Sequence, residues 1–242
     1  MKNIVTDSIL KKGLISLGLD DDKTLALLTR YIEEIELFNP AYGLVKVSSR
    51  SELIVKHILD SLSPVNILRD LLNQSLQSRD GSAPGSQTGQ AVDVGSGAGL
   101  PGIPLAVCMG NDIEFTLIER MARRAGFLQN TQAVLGLSNV KVEEADVEEL
   151  VLKPESAGLF DLVMFRAFTP IEADILKSLL KLLAPGGFIA AYKGRRESIE
   201  DEMKELEISC KYQIPPWEII LLNVPFLDDE RHLLVIGPLQ HS

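Results

Sequence analysis

The stretch Asp93-Val94-Gly95-Ser96-Gly97-Ala98-Gly99-Leu100-Pro101-Gly102 constrains this chain more than any other, because it places a strand end, a glycine turn and a helix start within ten residues. Ala91, Val92 and Val94 make a short apolar run of the kind that buries as a central strand. Gly95, Gly97 and Gly99 then let the backbone turn without Cβ clashes and approach a ligand closely. Pro101 suits a first helical position, where no amide donor is needed. Ile103, Leu105, Ala106 and Met109 supply the apolar face of the helix, whose free N–H groups are expected to point at whatever the loop holds. Strand, glycine loop and helix in this order make a nucleotide cradle.

Downstream the same alternation continues. Strands are expected near 91–94, 113–118, 139–143, 160–165 and 187–192, separated by helical patterns such as 122–135 and 171–183. That order gives a doubly wound, mostly parallel sheet with helices on both faces. Pro185-Gly186-Gly187 reads as a tight turn that stops one helix and feeds the next strand. Stretches near 217–222 and 231–236 have no full helix between them, so they form a terminal antiparallel hairpin and bring the sheet to seven strands. Residues 1–78 show helical periodicity alone, with Leu25, Leu28, Ile32 and Ile35 on one face and Val55, Ile58, Leu59 and Leu62 on another. They read as a helical N-terminal cap. The Gly/Ser/Pro-rich stretch 79–90 reads as a mobile linker, and 91–242 as the ligand-binding α/β domain.

Composition excludes several classes. The net charge is −10 and the pI about 4.9, so a nucleic-acid partner must meet a local basic patch. No apolar run approaches the length of a membrane span, and the first residues lack a signal-peptide core, so a cytoplasmic location is expected. Cys108 and Cys210 sit in apolar surroundings and read as reduced core residues, while His57, His232 and His241 have no metal-ligand spacing.

The glycines admit two frames. Gly97-Ala98-Gly99-Leu100-Pro101-Gly102 satisfies the six-residue dinucleotide fingerprint, as an NAD(P)-dependent oxidoreductase would use it. The glycine directly after the strand is Gly95, however, and from there the pattern is Gly-x-Gly-x-Gly preceded by Asp93. That frame is similar to the S-adenosylmethionine loop of class I methyltransferases. Glu119 ends the second strand, where a carboxylate can accept hydrogen bonds from both ribose hydroxyls of a nucleoside. After the third strand, Asp146 either lies near an adenine or simply caps a helix. Arg166, Lys193, Arg195 and Arg196 follow the fourth and fifth strands. With Arg120, Arg123 and Arg124 they would form a basic rim that positions RNA through its phosphates.

Two absences narrow the chemistry. The fourth strand is followed by Arg166-Ala167-Phe168 instead of the Asn/Asp-Pro-Pro-Tyr used on exocyclic amines, and no Pro-Cys pair is present for covalent attack on a pyrimidine. A guanine N7 atom needs neither device, because its lone pair is free in the ring plane and alignment alone supplies much of the rate.

Taken together, the loop 93–105, the helix start Arg123-Arg124-Ala125-Gly126-Phe127-Leu128, the loop Arg166-Ala167-Phe168 and Tyr192-Lys193-Gly194 resemble the bacterial 16S ribosomal RNA guanine-N7 methyltransferases, also called the glucose-inhibited division protein B family. Phe38-Asn39, Ala41-Tyr42 and His57-Ile58-Leu59-Asp60-Ser61 extend the resemblance into the cap. It implies a class I, Rossmann-like methyltransferase fold, S-adenosylmethionine as cofactor and the 530 loop of 16S ribosomal RNA, free or in the small subunit, as substrate. It also implies that Gly95 and Leu100 hold the cofactor, that Val147 and Glu148 flank its adenosine, and that Arg166 contacts it. Asn39, His57 and Asp60 would face the guanine or its RNA loop. The family's Tyr-Asn-Leu-Thr is replaced here by Tyr42-Gly43-Leu44-Val45, and the 79–90 stretch is longer than usual.

The leading expectation is therefore a monomeric methyltransferase acting on guanine N7. The oxidoreductase, and a catalytically idle RNA-binding assembly factor that keeps the fold and the rim, are its rivals.

Overall fold

The structure, a computed structural model, describes residues 2–80, 88–166 and 170–239. Its centre is a seven-stranded sheet made of β1 (Gly89–Val94), β2 (Ile113–Ile118), β3 (Val140–Glu143), β4 (Phe160–Arg166), β5 (Leu183–Lys193), β6 (Trp217–Leu221) and β7 (His232–Ile236), in the order β3-β2-β1-β4-β5-β7-β6. The first five are parallel, and β7 runs antiparallel between β5 and β6. Chain order reverses at β1, so the crevice beyond the carboxyl ends of β1 and β4 is where a ligand is expected.

The N-terminal region is helical, as its periodicity requires: α1 (Lys2–Ser16), α2 (Asp22–Tyr42), α3 (Arg50–Leu53), a π-helical stretch Ile54–Leu59, α4 (Asp60–Leu62) and α5 (Val65–Asp80). Asp21 caps α2 by accepting from the Thr24 N–H at 2.9 Å, and Gly43 ends it at φ 60°, a left-handed conformation that glycine adopts without penalty. The remaining helices are α6 (Gly102–Met109), α7 (Ala122–Leu135), α8 (Val147–Leu150), α9 (Ala173–Leu182) and α10 (Arg196–Ser209). Among the described residues no helix is long and apolar enough to cross a membrane.

Alternate residues of each strand serve opposite faces. Ala91, Phe115, Leu162 and Phe188 pack into one core with Leu28, Ile32 and Ile35 of α2 and with Leu68 and Leu72 of α5. Val92, Ile118, Val163 and Ile189 face the other way, against Leu176 and Leu179 of α9 and Ile199 and Met203 of α10. Each of these side chains larger than alanine contributes about 1.5–3 kcal/mol of burial, so the N-terminal helices are bonded to the sheet by the same core that holds the sheet together. Polar fasteners fix the orientation. Tyr31 donates to the Ala98 carbonyl at 2.7 Å, Tyr192 to the Ser61 carbonyl at 2.8 Å, and Ser75 to the buried Asp161 carboxylate at 2.7 Å.

Three boundaries depart from the sequence reading. The expected linker 79–90 loses both ends: α5 runs through Asp80, and Gly89 and Gln90 pair with Ile113 and Glu114, extending β1. Gln90 also donates its N–H to Asp161 at 2.8 Å, a tether that apolar patterning does not reveal. Residues 81–87, the rest of that stretch, lie outside the described residues. The expected Pro185-Gly186-Gly187 turn is instead a bulge inside β5, where the register jumps from Phe160↔Leu183 to Leu162↔Phe188. Glycine is required there because a Cβ on Gly187 would stand 2.9–3.1 Å from three carbonyl oxygens. The third departure is at α6. Pro101 stands just before the helix as its cap, and the Gly102 N–H is donated to the Asp93 carboxylate at 2.9 Å.

Candidate functional site

Two cavities open at the carboxyl edge of the sheet. The first, about 430 Å³, is lined by Val94 and Gly95 after β1, Ile118 and Glu119 after β2, Arg120, Met121 and Arg124 at the start of α7, Ala145–Glu148 after β3, Arg166 at the end of β4, and Ile175. That volume suits a nucleoside-bearing small molecule. Gly95 makes its turn at φ 72° and exposes backbone to the cavity. Glu119 is buried, with one carboxylate oxygen accepting from the Gly97 N–H and the other from the Met121 N–H, each at 2.9 Å. Both oxygens keep lone pairs, so the carboxylate is a fixed acceptor held at the cavity wall.

Asp146 resolves toward the helix cap. It forms a capping box with Glu149, accepting from the Glu149 N–H at 2.9 Å, while Val147 and Glu148 beside it line the cavity. The donor set fits S-adenosylmethionine: Val94, Ile118 and Ile175 offer apolar walls to a flat ring, Glu119 offers an anchored acceptor, and Arg124 brings a buried Nε that meets no acceptor among the described residues.

Other residues expected to bind the cofactor turn out to support the loop from behind. Asp93 is fully buried, does not line the cavity, and spends one oxygen on the Gly102 N–H, while burial pushes its carboxyl up to about 7. Gly97 gives its N–H to Glu119. Gly99, at φ 90°, lies so close to Ile103 and Leu128 that a Cβ would stand 2.5 Å and 3.0 Å from their side chains. Leu100 is a core residue. None of these four lines the cavity, because the loop is itself packed against α6, α7 and Tyr31 of α2. The same geometry weighs against the dinucleotide frame, because the Gly102 amide at the helix start is taken by Asp93 and is not offered to a phosphate.

The second cavity, about 400 Å³, is lined by Lys46, Glu52, Lys56, His57, Asp60, Arg166, Tyr192, Lys193, Gly194, Leu222, Arg231 and His232. Arg166 lines both cavities. Its guanidinium donates to Asp60 at 3.0 Å and to the Lys56 carbonyl at 3.2 Å, and meets His57 Nδ1 at 2.9 Å. Arg231 approaches the other Asp60 oxygen at 3.3 Å, so one buried carboxylate lies between two cations. Burial pushes the Asp60 carboxyl up, against the pull of Arg166 and Arg231. Burial, then the Arg166 charge, depresses His57 to about 4, so the ring is neutral near pH 7. With Nδ1 accepting from Arg166, the proton is assigned to Nε2. His57 and Asp60 stand three apart where the π-helical stretch meets α4, which turns both toward β4.

Thus the structure brings His57, Asp60 and Arg166 together and leaves Asn39 out. Asn39 lines neither cavity; its side chain accepts from the Val45 N–H at 2.9 Å and so shapes the turn after α2. The expected basic rim also divides. Lys193 is a double partner of Glu202 on the adjacent α10, at 2.7 and 2.9 Å, and Arg196, the first residue of α10, pairs with Glu200 one turn on at 2.9 Å. Arg195 is exposed, and Arg123 is exposed with its guanidinium 5.7 Å from the Tyr42 ring. Arg124 faces the first cavity instead of the rim. Ala167 and Phe168 lie outside the described residues.

Lys46, Lys56 and Arg231 were not singled out by the sequence. A signal for Arg231 existed: it precedes a strand antiparallel to β5, and the start of such a strand lies at the same edge as the ends of the parallel ones, with His232 paired to Lys193.

A family model described as rRNA small subunit methyltransferase G matches residues 24–234. A Ribosomal RNA small subunit methyltransferase G from Treponema denticola is 37% identical over 97% of this chain and 96% of its own length. One of the same description from Cellvibrio japonicus is 35% identical over 96% of this chain and 97% of its own. Among solved structures, a SAM-dependent methyltransferase from Aquifex aeolicus superposes with a TM-score of 0.53 at 14% identity, over 80% of this chain and 96% of that one, which shows a shared fold. Cavity, fold and relatives agree, and the chain belongs to the small-subunit ribosomal RNA methyltransferase G family.

Proposed function

We propose that this protein transfers a methyl group from S-adenosylmethionine to N7 of a guanine in 16S ribosomal RNA, working as a monomer in the cytoplasm. The observation that carries this reading is Arg166, the common wall between a nucleoside-sized cavity and a second, cation-rich one. When bound, the cofactor's sulfonium supplies an electrophilic methyl group. Gly95, Glu119, Val147 and Glu148 hold its nucleoside half, and Arg166 stands where its reacting end approaches the second cavity.

The target guanosine occupies that second cavity. Lys46 in the cavity lining receives its phosphates, beside a Lys56 held by Glu52 at 2.9 Å, and the neutral His57 offers a donor to a base acceptor other than the reacting N7. No side chain has to remove a proton, since N7 carries none. Catalysis then reduces to alignment and exclusion of water, which a rigid pair of cavities provides.

Incubation with radiolabelled S-adenosylmethionine and small-subunit particles, followed by mass spectrometry of the digested RNA, is expected to put one methyl group on one guanine N7. Label on another atom would overturn the assignment. RNA binding without methyl transfer would restore the idle assembly factor.

A further inference from the structure

Arg123 and Arg124 are neighbours at the start of α7 and have opposite surroundings. Arg123 is exposed, over the Tyr42 ring, and donates to the Ala41 carbonyl at 3.4 Å. Arg124 is half-buried and lines the first cavity together with Glu119, Met121, Val147 and Glu148. Among the described residues its Nε, which is buried, has no hydrogen-bond acceptor and no ion pair includes it. A buried N–H on a charged group is costly to leave unmade, so its acceptor is to be sought in what fills the cavity. The Glu119 carboxylate in the same wall does not provide one: its oxygens accept from the Gly97 and Met121 amides.

We infer that Arg124 is a cofactor-positioning residue that donates from Nε to the nucleoside half of S-adenosylmethionine, an inference that rests on the reading of this cavity given above. The half is fixed by the neighbours. Glu119, Val147 and Glu148 stand at the ends of β2 and β3, whereas the methyl-bearing end has to reach toward Arg166 and the second cavity. Arg124 therefore sits at the nucleoside end and contributes nothing to RNA.

Calorimetric titration of the full chain with S-adenosylhomocysteine and with 5′-methylthioadenosine, which lacks the amino-acid half, tests this. Arg124→Gln is expected to weaken both ligands about tenfold and equally, with affinity for small-subunit RNA unchanged. Arg124→Lys, which keeps the charge and aliphatic stem but has no Nε donor, is expected to weaken both by a smaller factor, and it serves if the glutamine variant fails to fold. Loss of affinity for S-adenosylhomocysteine alone would place Arg124 at the amino-acid half and overturn the inference. Unchanged affinity for both ligands with weakened RNA binding would return it to the RNA rim. Failure of the wild-type chain to bind either ligand would overturn the cavity reading itself, and this inference with it.

Discussion

The first cavity takes its lining from the ends of four parallel strands and the turns that follow them, so its groups are held by backbone hydrogen bonds and by the sheet. The second takes its lining from segments between Lys46 and His232 and is held by side-chain charges gathered around Asp60. A site of the first kind tolerates loss of a side chain with local damage. One of the second kind depends on single charges whose partners are buried, and deleting one leaves the others uncompensated.

The largest effect should therefore come from Asp60→Ala, which strands Arg166 and Arg231. Urea denaturation is expected to show a loss of about 3 kcal/mol or more, the magnitude for breaking a buried pair. A loss below about 1 kcal/mol would mean that solvent screens the cluster, and the contrast between the cavities would fail. Next, Glu119→Ala removes one acceptor and releases two backbone amides. Affinity for S-adenosylhomocysteine should fall by about 1.5–3 kcal/mol, roughly ten- to a hundredfold, with RNA binding within about twofold of wild type. An equal drop in RNA binding would show that the two cavities are not separable. The smallest effect concerns His57, whose pKa is about 4 in the folded state against 6.5 for an unperturbed ring. Because the unfolded chain takes up the proton first, the stability difference between wild type and His57→Gln should rise with pH between about 4 and 6.5 and be flat above, while Asp93, whose carboxyl is pushed up to about 7, gives the opposite slope in both proteins. The slope of the difference is at most about 1.4 kcal/mol per pH unit, reduced by the partial exposure of the ring. A difference that does not change with pH would place the titration elsewhere.

The same contrast explains what could be read in advance. β2 and α7 were placed at their exact limits, 113–118 and 122–135, because each carries a complete local period and a clear stop. Gly95 and Glu119 follow directly from the strands before them, whereas Val147 and Glu148, which open α8, are implied only by the family resemblance; all four line the first cavity. Gly97, Gly99, Leu100 and Asp93 belong to the same motif, but whether a motif residue meets the ligand or braces the loop depends on α2 and α7, which local pattern does not contain. Arg196 pairs with Glu200 at the i,i+4 spacing that a helix allows, whereas the pairing of Lys193 with Glu202 joins β5 to α10 and no local pattern contains it. His57 lies 109 positions from Arg166, and only the sheet order brings them within 2.9 Å.

One packing detail bears on biosynthesis. Phe38 near the end of α2 meets Phe127 of α7 edge-on, with ring centroids 5.6 Å apart, on the same helix whose Tyr31 braces the glycine loop. During translation Phe38 leaves the ribosome about ninety residues before Phe127, a delay of several seconds at roughly 5–20 residues per second. Through that interval the part of α2 that packs on α6 and α7 has no native surface to cover it, although α1 and α3 are already there, and the nascent polypeptide is exposed to chaperones and to premature association. Maturation of the cradle is thus a late event, gated by synthesis of a segment far downstream.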